Sequence, residues 1–323
     1  MTALALLSGG LDSLLAAKLI QKQGIEVIGL HFFIPFSSDK SGFLSEAGVR
    51  VERIDIRRDF LEIINQPAHG FGSQMNPCID CKIFMLKKTK ELMPRFGAQF
   101  VITGEVLGQR PMSQHRQSLA LIEKESGLAG LLLRPLCARL LDETIPELMG
   151  WVKRAELLDF AGRGRSHQIR LAGELGIEKY AQPAGGCLLT DPKFAHRLKD
   201  LLAHRTMDVE NIELLKLGRH FRLTSQAKLV VGRNQKENEK ILSLAGPGDF
   251  IIMPIEELAG PTALGRGVFD TQLLSLSGGI VAHYCDLNGE KTARLIFKKF
   301  GSQQDSGLES PALPEERILA LRL

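Results

Sequence analysis

The 323-residue chain is poor in aromatic surface: Phe, Trp and Tyr make up 6%, with one Trp and two Tyr. An extended base-stacking platform of the kind single-strand binders use is therefore not expected. Its apolar runs are short and strand-like, well below the ~20 residues a membrane helix needs, so no membrane partner is expected. Met1 runs straight into an apolar segment. That leaves no room for a signal peptide, and the expected location is cytoplasmic. Five cysteines are too few for a disulfide scaffold at this length. In a reducing compartment they read as structural, catalytic or metal-binding. No internal repeat or low-complexity tract is present. The net charge of +4 permits nucleic-acid binding without requiring it.

What is present is an alternation of short apolar strands and helices. Residues 3–7 form an apolar strand ending in Ser8-Gly9-Gly10, and residues 13–23 carry leucines and alanines at helical spacing until Gly24. Further strands are expected at 26–33, 49–56, 99–103 and 131–133, with helices at 58–64, 81–96, 144–151 and 166–175. This order predicts an α/β fold with a doubly wound parallel sheet. Ligands on such sheets bind beyond the carboxyl ends of the strands. Gly9-Gly10, Gly104-Glu105 and Arg134-Pro135 all fall at such ends, so one shared cleft is expected. The pattern changes near residue 206. Strands at 221–223, 227–231, 250–253 and 279–284, separated by Gly/Pro turns, predict a second, smaller α+β domain closed by a basic segment at 291–300. The expected division is 1–205, 206–300 and a loose C-terminal arm over 301–323.

The first turn carries the most specific signal. A strand, a Gly-rich turn and a helix make an anion site from backbone N–H groups and the helix N-terminus. In Ser8-Gly9-Gly10-Leu11-Asp12-Ser13 the glycines allow close approach of phosphate, and the two serine hydroxyls can donate to it. Asp12 can hold Mg²⁺ or cap the helix. The Walker lysine is absent. The bland alternative, Ser and Asp acting only as caps, does not explain the full S-G-G-x-D-S pattern after an N-terminal strand. That pattern resembles the PP-loop, or ATP pyrophosphatase, superfamily. The resemblance implies ATP as a substrate, cleaved between the α and β phosphates, with a carbonyl-type oxygen adenylated. It also implies that the end of the second strand, at His31, lines the adenine pocket.

Asn76-Pro77-Cys78-Ile79-Asp80-Cys81 places a C-x-x-C at a helix start, where thiol pKa is lowered. Cys187 ends the Gly-rich run Pro183-Ala184-Gly185-Gly186-Cys187, suited to close approach of a ligand. Cys137 and Cys285 read as inert core residues. Three readings of Cys78, Cys81 and Cys187 stand open: ligands of an iron–sulfur cluster with one open iron position, a persulfide relay, or a structural zinc completed by a residue such as His69.

The flanking sequence resembles the tRNA 4-thiouridine synthases: Cys81-Lys82-Ile83-Phe84-Met85, Gly97-Ala98, Ile102-Thr103-Gly104-Glu105-Val106-Leu107-Gly108-Gln109, Ser113-Gln114 and Leu133-Arg134-Pro135-Leu136 follow in that order. N-P-C-x-x-C is also similar to the tRNA 2-thiouridylases. Neither a THUMP region nor a rhodanese domain is recognisable, and the two-plus-one cysteine pattern resembles cluster-dependent members of these families. The resemblance implies a [4Fe-4S] cluster on Cys78, Cys81 and Cys187, with Asp12, Cys78 and Cys187 as the reactive residues. Ser8, Gly9, Gly10, Asp12, Ser13, His31, Gly104 and Gln109 are the expected ATP-binding set.

Arg163, Arg165 and Arg170 form an acid-free basic stretch, and Arg219, Arg222, Lys228, Arg233, Lys236, Lys298 and Lys299 add charge downstream. Lys228-Leu229-Val230-Val231-Gly232-Arg233-Asn234-Gln235-Lys236-Glu237-Asn238 resembles the RNA-binding R domain of the NFACT family. Arg163, Arg165, Arg170, Arg233 and Lys236 are thus expected to contact RNA phosphates. The expected activity is tRNA thiolation, with 4-thiouridine favoured. Its partners would be tRNA and a sulfur donor, either free sulfide or a desulfurase system, and a homodimer is a further expectation. The alternatives are a PP-loop ligase forming an amide or amine, and a non-catalytic RNA-binding module with a relic ATP loop.

Overall fold

Strand β1 (Thr2–Leu6) is buried at every position, as a central parallel strand covered on both faces must be. In the computed structural model, which describes residues 1–36, 41–181, 187–204, 206–302 and 304–323, β1 leads through Gly9-Gly10 into α1 (Leu11–Lys22) and then β2 (Glu26–Phe33). There follow β3 (Arg50–Asp55), α2 (Phe60–Asn65), α3 (Cys78–Phe96), β4 (Phe100–Ile102), α4 (Arg116–Glu125), β5 (Leu132–Leu133), α5 (Ile145–Leu148) and α6 (Ser166–Glu174). The five strands pair in the order β3-β2-β1-β4-β5, all parallel. Ala3, Ala5 and Leu7 pack with α1 and with Ala172 of α6 in one core. Helix α3 packs on β1 and β4 through buried side chains such as Ile83 and Leu86, which lie outside that core, so it covers the opposite face. The expected doubly wound α/β layer is present.

The chain runs outward from β1 to β3 and then returns to place β4 on β1's other side. The crevice beyond the carboxyl ends of β1 and β4 is the switch point where such sheets take ligands. The Gly9-Gly10 turn and Gly104 both lie there.

The chain divides into two units, Met1–Thr190 and Asp191–Leu323, so the boundary falls before residue 205. The reason is α7 (Pro192–Ala203). Its Asp200 accepts from Arg222 Nε (2.8 Å) and Lys228 Nζ (3.1 Å), two residues of the second sheet. The remaining elements are α8 (Val209–Leu215), β6 (Arg219–Thr224), β7 (Ala227–Val231), α9 (Gln235–Ser243), β8 (Phe250–Pro254), β9 (Ala263–Gly267), α10 (Thr271–His283), β10 (Thr292–Lys299), β11 (Asp305–Pro311) and α11 (Glu315–Leu321). Six strands make an antiparallel sheet in the order β11-β10-β8-β9-β7-β6, an α+β unit as expected.

Two local expectations are corrected here. The segment 279–284 is not a strand but the end of α10, capped by Asp270 onto the Leu273 N–H. Gly278 and Gly279 sit where a Cβ would meet Ser310 and Leu313, so the glycines allow close packing of helix on sheet. The C-terminal arm is not loose: β11 pairs with β10 from Thr292↔Pro311 to Lys298↔Asp305. Among the described residues no helix is long and apolar enough to cross a membrane.

Candidate functional site

The phosphate-loop turn is shaped by Gly9, whose φ of +72° lies in the left-handed region that glycine adopts without strain. Ser13 Oγ donates to Gly10 O (2.8 Å), and the Ser8 N–H reaches the same hydroxyl at 3.3 Å. Helix α1 has Gly10 as its N-cap residue and no side-chain cap. The capping account of Asp12 is therefore set aside: its carboxylate is turned to Gln109, and no side chain caps the start of the helix, where an anion can bind.

Asp12 Oδ2 accepts from Gln109 Nε2 (2.7 Å), and Gln109 Oε1 accepts in turn from Gln168 Nε2 (3.1 Å). Arg165 Nη2 stands 3.8 Å from the same carboxylate oxygen. The other oxygen, Oδ1, is buried with no hydrogen-bond partner among the described residues. A buried carboxylate oxygen left unmatched is costly unless something comes to it, and a divalent cation fits that demand. Gly104 closes the floor of the site. A Cβ there would strike the backbone of Asp12 and Ser13, so only glycine lets the end of β4 lie this close to the loop.

Arg165, one of the arginines expected on RNA, stands beside Asp12, because it immediately precedes α6, whose Gln168 joins the Gln109 network. Arg163 and Arg170 are exposed, with Arg170 Nε 3.8 Å from Glu174. His31 is buried, with Nδ1 2.9 Å from Leu7 O. It braces the end of β1.

Behind the loop lies an ion network that sequence spacing did not announce. Arg134 is nearly fully buried and donates to Glu105 Oε2 (Nε, 3.1 Å), Glu123 Oε2 (Nη1, 2.9 Å) and Leu119 O (Nη2, 3.1 Å). Burial works against the Glu105 carboxylate, but Lys82 and Arg134 outweigh it and hold the group below the usual range. Lys82 Nζ lies 3.9 Å from Glu105 Oε1.

Lys82 follows Cys81, and this leads to the cysteines. Cys78 and Cys81 open α3, and Cys187 Sγ stands 3.9 Å from Asn76 Oδ1. The charge of a Cys81 thiolate would be felt from both Cys187 and Cys78, so the sequence-distant thiols share one neighbourhood. The expected low thiol pKa is not found. Burial pushes Cys81 up to about 12 and Cys187 up to about 11, and it raises Cys78 despite the Asn76 hydrogen bond. The helix start is half-buried, and desolvation wins over the helix dipole. The Gly-rich run 183–186 lies outside the described residues. Among the described residues no group of three His, Cys, Asp or Glu side chains is arranged to hold a metal ion. Cys137 is buried against Glu105 O (3.3 Å) and Cys285 bonds back to Val281 O (3.4 Å), as expected of inert thiols.

The two halves of the site are tied together. Gln109 bonds Asp12, while its neighbour Arg110 acts electrostatically on both Cys78 and Cys187. Ala181 bridges to Gly10, and Cys187 is six residues further on; a fully extended chain of that length reaches at most about 22 Å.

Residues 1–148 match the family described as thiamine biosynthesis protein (ThiI). Over those residues the first unit is similar to that family. Residues 218–321 match the NFACT protein RNA binding domain. Over 143 residues the chain is 30% identical to a protein named probable tRNA sulfurtransferase from Thermococcus kodakarensis, covering 41% of this chain and 36% of that protein. Over 190 residues it is 28% identical to the tRNA sulfurtransferase of Photorhabdus laumondii, covering 55% and 33%. The chain thus spans about a third of the length of these relatives. Among solved structures, a 4-thiouridine synthetase–RNA complex with bound ATP matches at a TM-score of 0.38 and 18% identity, covering 67% of this chain and 52% of that one. A likeness that slight carries no weight beyond the sequence matches.

In the second unit, the cations expected on RNA divide. Arg222 and Lys228 are spent on Asp200, and burial lowers Lys228 to about 8. Arg233 Nε donates to Glu237 at 3.0 Å, while Lys236 is exposed.

Proposed function

We propose that this chain is a tRNA thiolase of the ThiI kind: it adenylates a uridine carbonyl oxygen with ATP and replaces that oxygen with sulfur, 4-thiouridine being the favoured product. The observation that carries the reading is that Gln109 bonds Asp12 while the positive charge of its neighbour Arg110 is felt at Cys78 and Cys187. One short segment thereby serves a phosphate loop and a thiol cluster, which the two halves of a thiolation require.

In this reading the uridine O4 attacks the α-phosphate of ATP, and pyrophosphate leaves into the amides of the residue 8–13 turn. Sulfide then adds at C4, and AMP departs with the former carbonyl oxygen. Gln109 holds Asp12 by one oxygen and leaves Oδ1 unmatched; Asp12 would hold Mg²⁺, which would offset charge on the pyrophosphate. Arg165, 3.8 Å from Asp12, would supply a second positive group to those phosphates. Cys78, Cys81 and Cys187 would hold the [4Fe-4S] cluster, which would offer an open iron for incoming sulfide. Three soft donors in one neighbourhood fit such a group by chemistry, and the sulfurs would have to draw together to ligate it. An amide-forming ligase would have no use for three gathered thiols, and a relic loop would not need an oriented Asp12.

The deciding assay incubates the full chain anaerobically with ATP, Mg²⁺, sulfide and unmodified tRNA, followed by nucleoside mass spectrometry. We expect 4-thiouridine that requires both ATP and sulfide. AMP formation with no sulfur in the RNA would sink the thiolase reading and return the ligase.

A further inference from the structure

The second unit contains a cleft of about 550 Å³ between the start of α9 and the end of α10, and its chemistry is unlike that of a phosphate groove. Arg219 and Arg233 line it, but so does Asp286, and Arg233 is already paired with Glu237. Positive charge is thus nearly balanced at the cleft, where an anion would want it in excess.

What the cleft offers instead is a stack. The Arg219 guanidinium lies 4.3 Å from the centre of the Tyr284 ring, and Arg219 Nη1 is pinned by donating to Gly232 O (3.0 Å). The result is a flat cation held over an aromatic face at the wall of a half-open cavity. Asn238 Oδ1 accepts from the Thr262 N–H (3.1 Å), leaving its Nδ2 protons to donate elsewhere. Asp286 is exposed and presents acceptors, and Pro261 supplies apolar wall. A flat stacking surface, fixed amide donors and a carboxylate acceptor complement the face and the Watson–Crick edge of a nucleobase. The volume lies within the ordinary range for small-ligand pockets.

We propose that this cleft is a base-binding subsite that takes one unstacked nucleobase of a single-stranded RNA region onto the Arg219–Tyr284 stack. The proposal rests on the second unit meeting RNA. It adds that the unit reads an extruded base as well as backbone charge.

The test uses the full chain, a fluorescent 12-nucleotide oligouridine and a blunt 16-base-pair RNA duplex. The oligouridine should bind more tightly than the duplex. Arg219→Lys keeps the charge and loses the plane, so it should weaken oligouridine binding about tenfold, with an unchanged salt slope and unchanged duplex affinity. Equal oligouridine affinity in Arg219→Lys and wild type overturns the subsite while leaving RNA binding standing. Failure of the wild-type chain to bind either RNA removes the parent reading as well. Uridine monophosphate binding as tightly as the 12-mer would reassign the cleft to free nucleotides and overturn the RNA assignment. Should the variant fail to fold, ultraviolet crosslinking of wild type to 5-iodouridine RNA decides: the crosslinked peptide should contain Tyr284, and crosslinks confined to other surfaces reject the proposal.

Discussion

Gln109 Nε2 donates to Asp12 Oδ2 at 2.7 Å across 97 residues of sequence, and this bond fixes which carboxylate oxygen stays free. Asp12→Asn keeps the shape and removes the charge. It should lower ATP–pyrophosphate exchange by at least about a hundredfold, the usual scale for losing one transition-state electrostatic partner. The melting temperature should not fall, because the amide oxygen can still accept from Gln109 and the unmatched buried position then holds a neutral NH2 group. Exchange within a few-fold of wild type would show that Asp12 does not meet the cation.

Gly104→Ala introduces a Cβ against the backbone of Asp12 and Ser13. Overpacking of this kind costs about 1–3 kcal/mol, and here the part that must move is the ATP turn. Nucleotide affinity should fall while RNA affinity stays level. Isothermal titration with a non-hydrolysable ATP analogue beside an RNA-binding assay reads both.

Serine substitution at Cys78, Cys81 or Cys187 should separate the two half-reactions. Adenylation, read by tRNA-stimulated pyrophosphate exchange, should persist within about twofold, since in this reading it uses the Asp12 turn and not the thiols. Sulfur incorporation should be lost. In anaerobically reconstituted wild type, broad visible absorption from iron–thiolate charge transfer is expected, and Cys187→Ser should abolish it. Wild-type sulfur transfer in iron-free protein would move the cysteines to a persulfide relay.

Glu105→Gln strands Arg134 in the interior with only Glu123 for a counter-charge. Breaking a buried pair from one side costs about 3–5 kcal/mol, so first-unit stability should drop by that order in urea titration. The pH dependence has a definite sign. The folded Glu105 carboxyl lies below its ordinary value of 4.5, so its stabilisation is present above about 4.5 and is lost as pH falls through the lower folded value. The variant should lack that portion of acid destabilisation.

Arg165→Ala should raise KM for ATP about tenfold, the equivalent of ~1.4 kcal/mol, and leave tRNA affinity unchanged. Arg163→Ala, at an exposed position, should do the reverse if RNA passes there. Steady-state kinetics and RNA titration on the same pair of variants distinguish the roles.

The parallel layer was legible because β1, β2 and β4 are continuous apolar runs, and the phosphate turn because its residues are contiguous. Long-range pairing was not legible. Nothing in the spacing joins Arg134 to Glu105, or Arg165 to Asp12. Helix α10 misled because residues 279–282 are apolar with no polar face to set a period, and such a short run does not separate strand from helix. Strand β11 misled for the opposite reason: as an edge strand it is largely exposed and polar, and only its partner β10 makes it a strand. The thiols of Cys78 and Cys81 misled because desolvation, which depends on what the fold packs around them, outweighs the nearby Lys82 and the helix start.

The bridge between Gly10 and Ala181 also serves as an instrument. The Ala181 N–H reaches Gly9 O at 3.4 Å, a long bond on the very turn that would close around pyrophosphate. Its amide should therefore exchange with deuterium at a rate set by nucleotide occupancy, so that one backbone proton reports from within the chain when the loop is loaded.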